Sequence, residues 1–292
     1  MKRILGILLI IISAVSFGTL AILGRYAYAE GIDIFTLLFL RFGLAAILIG
    51  GLLILRREKL PKGKELYLLI GMGAIGYVGQ SFSYLTAIKY ASAGLVALLL
   101  YLYPIFVALL STIFLKEKFT FNKIIALALA TLGAAMTANP RGGQLTGILL
   151  AFSAAAIYSV YIIVGTTVMK KNSAVGSSTV IFASAGTVFG ILTLLNHPHW
   201  PVSLTGWMIV ASITVIATVI PVVTFLAGLR LIGPTNASLL STLEPVVTVL
   251  LAAWLFGEKL GPVILIGGGF ILAAAILLTH SEFVPGKTVM EQ

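Results

Sequence analysis

The chain has 292 residues, 60% of them hydrophobic and 10% charged, with a formal net charge of +10 and a mean hydropathy of +1.12. A charged fraction so far below the roughly 25% of soluble domains identifies an integral membrane protein. With no cysteine, disulfide frameworks, thiolate metal sites and thiol catalysis are excluded. The basic residues lie between apolar runs rather than along one face, which marks cytoplasmic loops and argues against a nucleic-acid partner.

A helix that crosses a bilayer needs about 20 apolar residues. In chain order the predicted spans are 4–28, 34–55, 66–88, 92–115, 122–138, 145–169, 177–196, 205–230, 235–256 and 262–280. The first follows Lys2 and Arg3 and is too long for the core of a signal peptide, so it reads as a retained helix. With the N-terminus inside, the cytoplasmic segments hold most of the 19 basic residues, which places both termini in the cytoplasm of a bacterial or archaeal cell membrane. Only Lys89, Arg141 and Lys259 fall in outside loops.

Arg41, in the second span near its outer end, has three open roles. It can snorkel to the interface, pair with a helix carbonyl, or bind a substrate carboxylate. In the third span "GMGAIG" (71–76) fits a nucleotide-binding glycine pattern but has no strand before it, so it reads as helix packing. Tyr77, Gln80, Ser81 and Tyr84 then form a polar stripe at three-and-four spacing, able to cradle a cation or an aromatic ligand. The fourth span carries Tyr103 and Pro104, and the sixth carries Tyr158 and, more weakly placed, Tyr161. His197 and His199 make an incomplete metal set, and "PGKT" near the C-terminus lacks a phosphate loop's upstream glycine; no metal and no cofactor is expected. Ala126, Ala130 and Ala134 of the fifth span and Gly267, Gly268, Gly269 and Ala273 of the tenth read as close-packing faces outside any transport path.

Glu244 stands near the middle of the ninth span, where an acid costs roughly 2.5–3.5 kcal/mol on insertion scales. Ser241, Glu244 and Thr248 would share one face of that helix. Pro245 has no N–H for the carbonyl of Ser241, leaving it open to a ligand or water. Two tasks stand open for Glu244, exchange of a proton or binding of a substrate amine, beside a packing role.

Sliding the second half onto the first by about 141 residues, a shift read directly along the chain, superposes "GILL" at Gly6 and Gly147, Pro104 and Pro245, and Glu117-Lys118 and Glu258-Lys259. Residues 1–140 and 141–292 are therefore expected to be two five-helix repeats within one membrane domain. Five is odd, so the second copy enters the membrane the other way up, an architecture associated with alternating access at a midplane site. The fold class is an all-α integral membrane protein of ten transmembrane helices in two inverted repeats, with Pro104 and Pro245 as paired gating points.

The segments "YPIFVALLSTIFLKEK", "LEPVVTVLLAAWLFGEK", "SAVSFGTLAILGRYA" and "DIFTLLFLRFGLAAILI" resemble the EamA family of the drug/metabolite transporter superfamily. The resemblance covers both halves and implies a ten-helix exporter of amino acids or other small metabolites. Lys116 stands where the family often has Gly, and Tyr103 where the second copy has Glu244, so the halves contribute unequally to a site. The expected partners are a small-molecule substrate and the lipid bilayer, with the oligomeric state left open and a monomer plausible. The alternatives are a lipid-modifying membrane enzyme, which would need paired acids, a nucleophile or a metal set at one face, and a carrier of cationic drugs or nucleoside-like compounds.

Overall fold

The computed structural model describes residues 2–91, 93–118, 120–138, 144–257 and 260–283, and their regular elements are all helical. Ten helices follow one another: α1 (Lys2–Ala29), α2 (Ile34–Leu55), α3 (Lys64–Ala87), α4 (Leu95–Leu115), α5 (Phe121–Ala138), α6 (Leu145–Val168), α7 (Ala174–Leu195), α8 (Leu204–Ile232), α9 (Pro234–Phe256) and α10 (Pro262–Phe283). Among the described residues nine are long and apolar enough to cross a membrane, and α5 has a shorter apolar stretch, Phe121–Met136. The predicted spans hold to within a few residues. Glu258, Lys259, Arg141 and the "PGKT" segment lie outside the described residues.

The pairing of helices repeats. The most extensive contacts are α1 with α8, α2 with α7, α5 with α10 and α3 with α6, followed by α4 with α6, α3 with α7, α1 with α9 and α2 with α8. Exchanging each helix for the one five later returns the same set, the pattern expected where two copies of one unit face each other. The α5–α10 contact is close enough that a Cβ on Gly133 would lie 2.5 Å from the Gly267 carbonyl. Of the glycines expected to pack there, Gly268 and Gly269 face open space, and Ala273 is exposed. The true face of α10 is Gly267, Ile271, Ala274 and Leu278, because the helix period puts those four in one row and turns the others to lipid.

Four side-chain clasps tie the helix ends. At one face Asp33 caps α2 and accepts the His199 N–H at 2.8 Å, while Ser203, the cap of α8, donates to Glu30. At the opposite end of the α2–α7 pair, Ser173 caps α7 and donates to Glu58, while Lys171 reaches Glu65 at 3.3 Å. The loop after each of α2 and α7 thus fastens the start of the other. His199 serves in this clasp, and among the described residues there is no cluster of three or more metal-ligating side chains.

Five helices are interrupted. A turn splits α4 at Tyr101 and Leu102 and another splits α9 at Thr242 and Leu243, positions equivalent under the repeat. Pro104 and Pro245 are the second residues of the new segments, Tyr103–Leu115 and Glu244–Phe256, where the missing N–H is tolerated. Helices α3 and α8, also equivalent, carry π-type turns over Met72–Tyr77 and Val215–Val219. Helix α1 breaks at Thr19, whereas its counterpart α6 is continuous. Irregular backbone at membrane depth is tolerated where it lies inside protein, so these interruptions locate the polar interior.

Candidate functional site

Glu244 is the first residue of the second segment of α9. The break brings it beside the break in α1: a Cβ on Gly18 would lie 3.0 Å from the Glu244 carbonyl and 2.7 Å from Val247, so only glycine lets the two backbones meet. The hydroxyl of Thr248 sits 3.0 Å from the Gly18 carbonyl and 3.1 Å from that of Glu244. Thr248, expected on a common face with Ser241 and Glu244, therefore fastens α9 to α1. Ser241 belongs to the segment before the break and is buried, donating to Ala237. The turn at Thr242 and Leu243 separates Ser241 from Glu244, while Thr248 stays one helical turn beyond Glu244 in the same continuous segment.

The carboxylate of Glu244 is half-buried and, among the described residues, makes no ion pair or hydrogen bond. Its charge is felt by Arg41 of α2, Tyr77 and Tyr84 of α3, Tyr101 and Tyr103 of α4 and Tyr158 of α6. Four other helices thus converge on the acid of α9. The rings form a chain: Phe42 meets Tyr77 at 5.0 Å, Tyr77 meets Tyr161 at 5.4 Å, Tyr161 stacks on Tyr158 at 5.9 Å, and Tyr158 meets Tyr103 at 4.8 Å. Edge-to-face contacts of this kind hold each ring through its neighbour's quadrupole.

The break in α4 is pinned from both sides. Tyr103, 3% exposed, donates to the Ser238 carbonyl of α9 at 3.2 Å, and its own carbonyl accepts from Ser159 of α6 at 3.1 Å. Gln80 and Ser81 lie together on α3, with Ser81 pointing its hydroxyl to the Gln80 carbonyl oxygen at 3.4 Å. The "GMGAIG" glycines pack as expected in part: Gly73 receives Ser184 and Ile181 of α7 and Gly76 faces Tyr161, while Gly71 faces open space.

Arg41 does not snorkel. It is 6% exposed, donating from Nε to the Thr218 hydroxyl at 2.6 Å and from Nη2 to the Ala217 carbonyl at 3.2 Å, with its guanidinium 4.9 Å from the Phe42 ring centre. Of its three open roles the fold shows pairing with a helix carbonyl rather than snorkelling, because the π turn of α8 offers two acceptors inside the bundle. Thr218 and Tyr101 are site residues that sequence reasoning missed. Tyr101 carried a signal, since it stands two residues before Tyr103 in the segment that repeats; Thr218 carried none.

Two further cavities lie at opposite ends of α7, away from Glu244. One of about 280 Å³ is apolar and bounded by Phe39 and Trp200, and the other of about 470 Å³ is bounded by Glu58, Lys62 and Lys171. Both open to the surface, and neither gathers the repeat's interruptions.

Ten apolar helices around a half-buried acid at paired helix breaks define the class: a multi-pass membrane transporter. The EamA-like transporter family matches residues 4–139 and again residues 145–280, and the chain belongs to that family. An uncharacterized transporter of Archaeoglobus fulgidus is 27% identical over 268 residues, 92% of this chain and 94% of that protein. The uncharacterized transporter YcbK of Bacillus subtilis is 23% identical, over 97% of this chain and 95% of its own length. The uncharacterized inner membrane transporter YedA of Escherichia coli is 27% identical, over 86% and 83%. A protein of known crystal structure shares the fold with a TM-score of 0.83 at 20% identity, covering 94% of this chain and 96% of that one.

Proposed function

We propose that the protein is a secondary-active carrier that exports small metabolites, amino acids or related amphipathic compounds, by alternating access between its two inverted repeats. The observation that supports this is the position of Glu244: an acid at a helix break, half-buried, without an ion-pair partner among the described residues and surrounded by tyrosines. A carboxylate in that setting binds an ammonium by charge-assisted hydrogen bonds, and the tyrosine faces add cation–π attraction. A low-dielectric site disfavours any unpaired charge, so an empty carboxylate takes up a proton. Proton and amine then compete for one group, which couples export of one to entry of the other. The breaks in α4 and α9 supply the flexible points, and the export direction is the one the family resemblance implies.

Glu244→Gln tests this, because it keeps the shape and cannot ionise. In proteoliposomes the variant is expected to lose proton-driven flux and its pH dependence. Binding should weaken by about 1.5–3 kcal/mol, the worth of a charge-assisted hydrogen bond, with exchange falling alongside. Normal binding and exchange with a flat pH profile would leave Glu244 a proton site alone. Normal binding, exchange and pH dependence together would remove it from the mechanism.

A further inference from the structure

We infer that the π turn of α8, acting through Thr218, presents Arg41 as the receptor for a carboxylate on the substrate, which makes Thr218 a positioning residue of the site. The inference rests on reading the Glu244 region as the transport site.

Thr218 has one hydroxyl proton, and it goes to the Ile213 carbonyl at 2.8 Å, five residues back and within reach through the π turn. Its lone pairs are left facing Arg41 Nε at 2.6 Å. The second acceptor, the Ala217 carbonyl, is available because the residue four positions on is Pro221, which has no N–H to give it. Sequence and backbone register thus hold the guanidinium by one edge. Arginine has five N–H donors, and with two given to α8 three remain, none with a partner among the described residues. At 6% exposure they are removed from bulk water. Buried donors of a charged group left without partners are costly, and a planar fork of this kind fits a carboxylate through two parallel bonds.

The opposite charge is close without being joined to it. Arg41 and Glu244 act on each other electrostatically, yet among the described residues no ion pair of 4.0 Å or less connects them. A small molecule with an anionic and a cationic end fits between them, its carboxylate on Arg41 and its amine on Glu244. The recognised chemistry is a zwitterion, and a ligand with the amine alone would leave the Arg41 fork unfilled.

The test measures binding of paired probes to the purified full chain by thermal stabilisation. A panel of neutral-side-chain amino acids is compared, each with its own carboxamide, on the native chain, Thr218→Val and Thr218→Ser. In the native chain at least one amino acid is expected to bind roughly tenfold or more tighter than its amide, the margin of a lost charge-assisted contact. Thr218→Val should reduce that preference to under about threefold with amide affinity unchanged, and Thr218→Ser, which keeps the hydroxyl, should restore it. Thr218→Ala gives the same readout if the valine variant does not fold. The inference is overturned if no amino acid is preferred over its amide, if Thr218→Val weakens acid and amide alike, or if it leaves the preference intact. Flux is scored separately. Acid-selective binding without flux removes the carrier reading and keeps the Arg41 receptor; flux without acid preference does the reverse.

Discussion

Asp33 works at two places at once. Its side chain caps α2 through the N–H groups of Phe35 and Thr36 at 3.0 and 3.1 Å, and it also accepts the His199 N–H from the loop that leads into α8. Partial burial acts to raise the carboxyl. The Thr36 hydroxyl and the N–H groups of His199, Thr36 and Phe35 outweigh that and hold it below its ordinary 3.8. A group depressed in the folded state stabilises above its unfolded value and loses that contribution as pH falls through the folded one. Asp33→Ala is therefore expected to cost about 1 kcal/mol at pH 7, within the range for a lost helix cap. The gap between variant and native chain should begin to narrow below 3.8, where the unfolded chain takes up the proton, and close as pH falls through the lower value of the folded carboxyl. Thermal melts of both proteins across that range check it, and a gap independent of pH would assign the loss to packing.

On the proposed carrier reading, the helix breaks are the elements that would supply the moving parts. Pro104 and Pro245 each open a new segment immediately after a turn, and the flanking contacts differ: Tyr103 ties α4 to α9 and α6, while Gly18 and Thr248 tie α9 to α1. If the two turns are hinges, replacing either proline with Ala lets the segments join into one helix, which restores backbone hydrogen bonds at the expense of motion. Transport is expected to fall severalfold with little change in expression or melting temperature, since a rejoined helix is no less stable. Unchanged flux in both variants would leave the prolines as punctuation. The two π turns belong to the same scheme: one receives Arg41, and the other, in α3, leads into Tyr77.

Across the whole molecule, the contact set that maps onto itself when each helix is exchanged for the one five later fits a carrier whose two halves trade roles. If the two halves are inverted, residues 1, 59–64 and 292 are expected on one side of the membrane and residues 141–143 on the other. The chain has no cysteine, so single cysteines introduced at those places report sidedness directly with an impermeant thiol reagent. Labelling of residues 60 and 141 from the same side would end the inverted arrangement and the alternating-access mechanism with it. Residues 1, 141–143 and 292 lie outside the described residues, so for them this measurement draws on sequence alone.

Ten helices, the proline pair and the central acid were legible in the sequence, because bilayer thickness fixes the length of an apolar run and a lone acid within one stands out at once. The tyrosines of α3, α4 and α6 were legible as polar stripes by their spacing. What the sequence could not supply is backbone register. A π turn shifts every later side chain around the helix axis, and a break separates residues that an unbroken helix would align. Both depend on which neighbour offers a carbonyl, a hydroxyl or room for a ring. For that reason Arg41 keeps three open roles along the chain and is buried in the fold, held by a threonine 177 positions away. Ser241 is parted from Glu244 by the break for the same cause, while Thr248 stays in Glu244's segment and reaches Gly18.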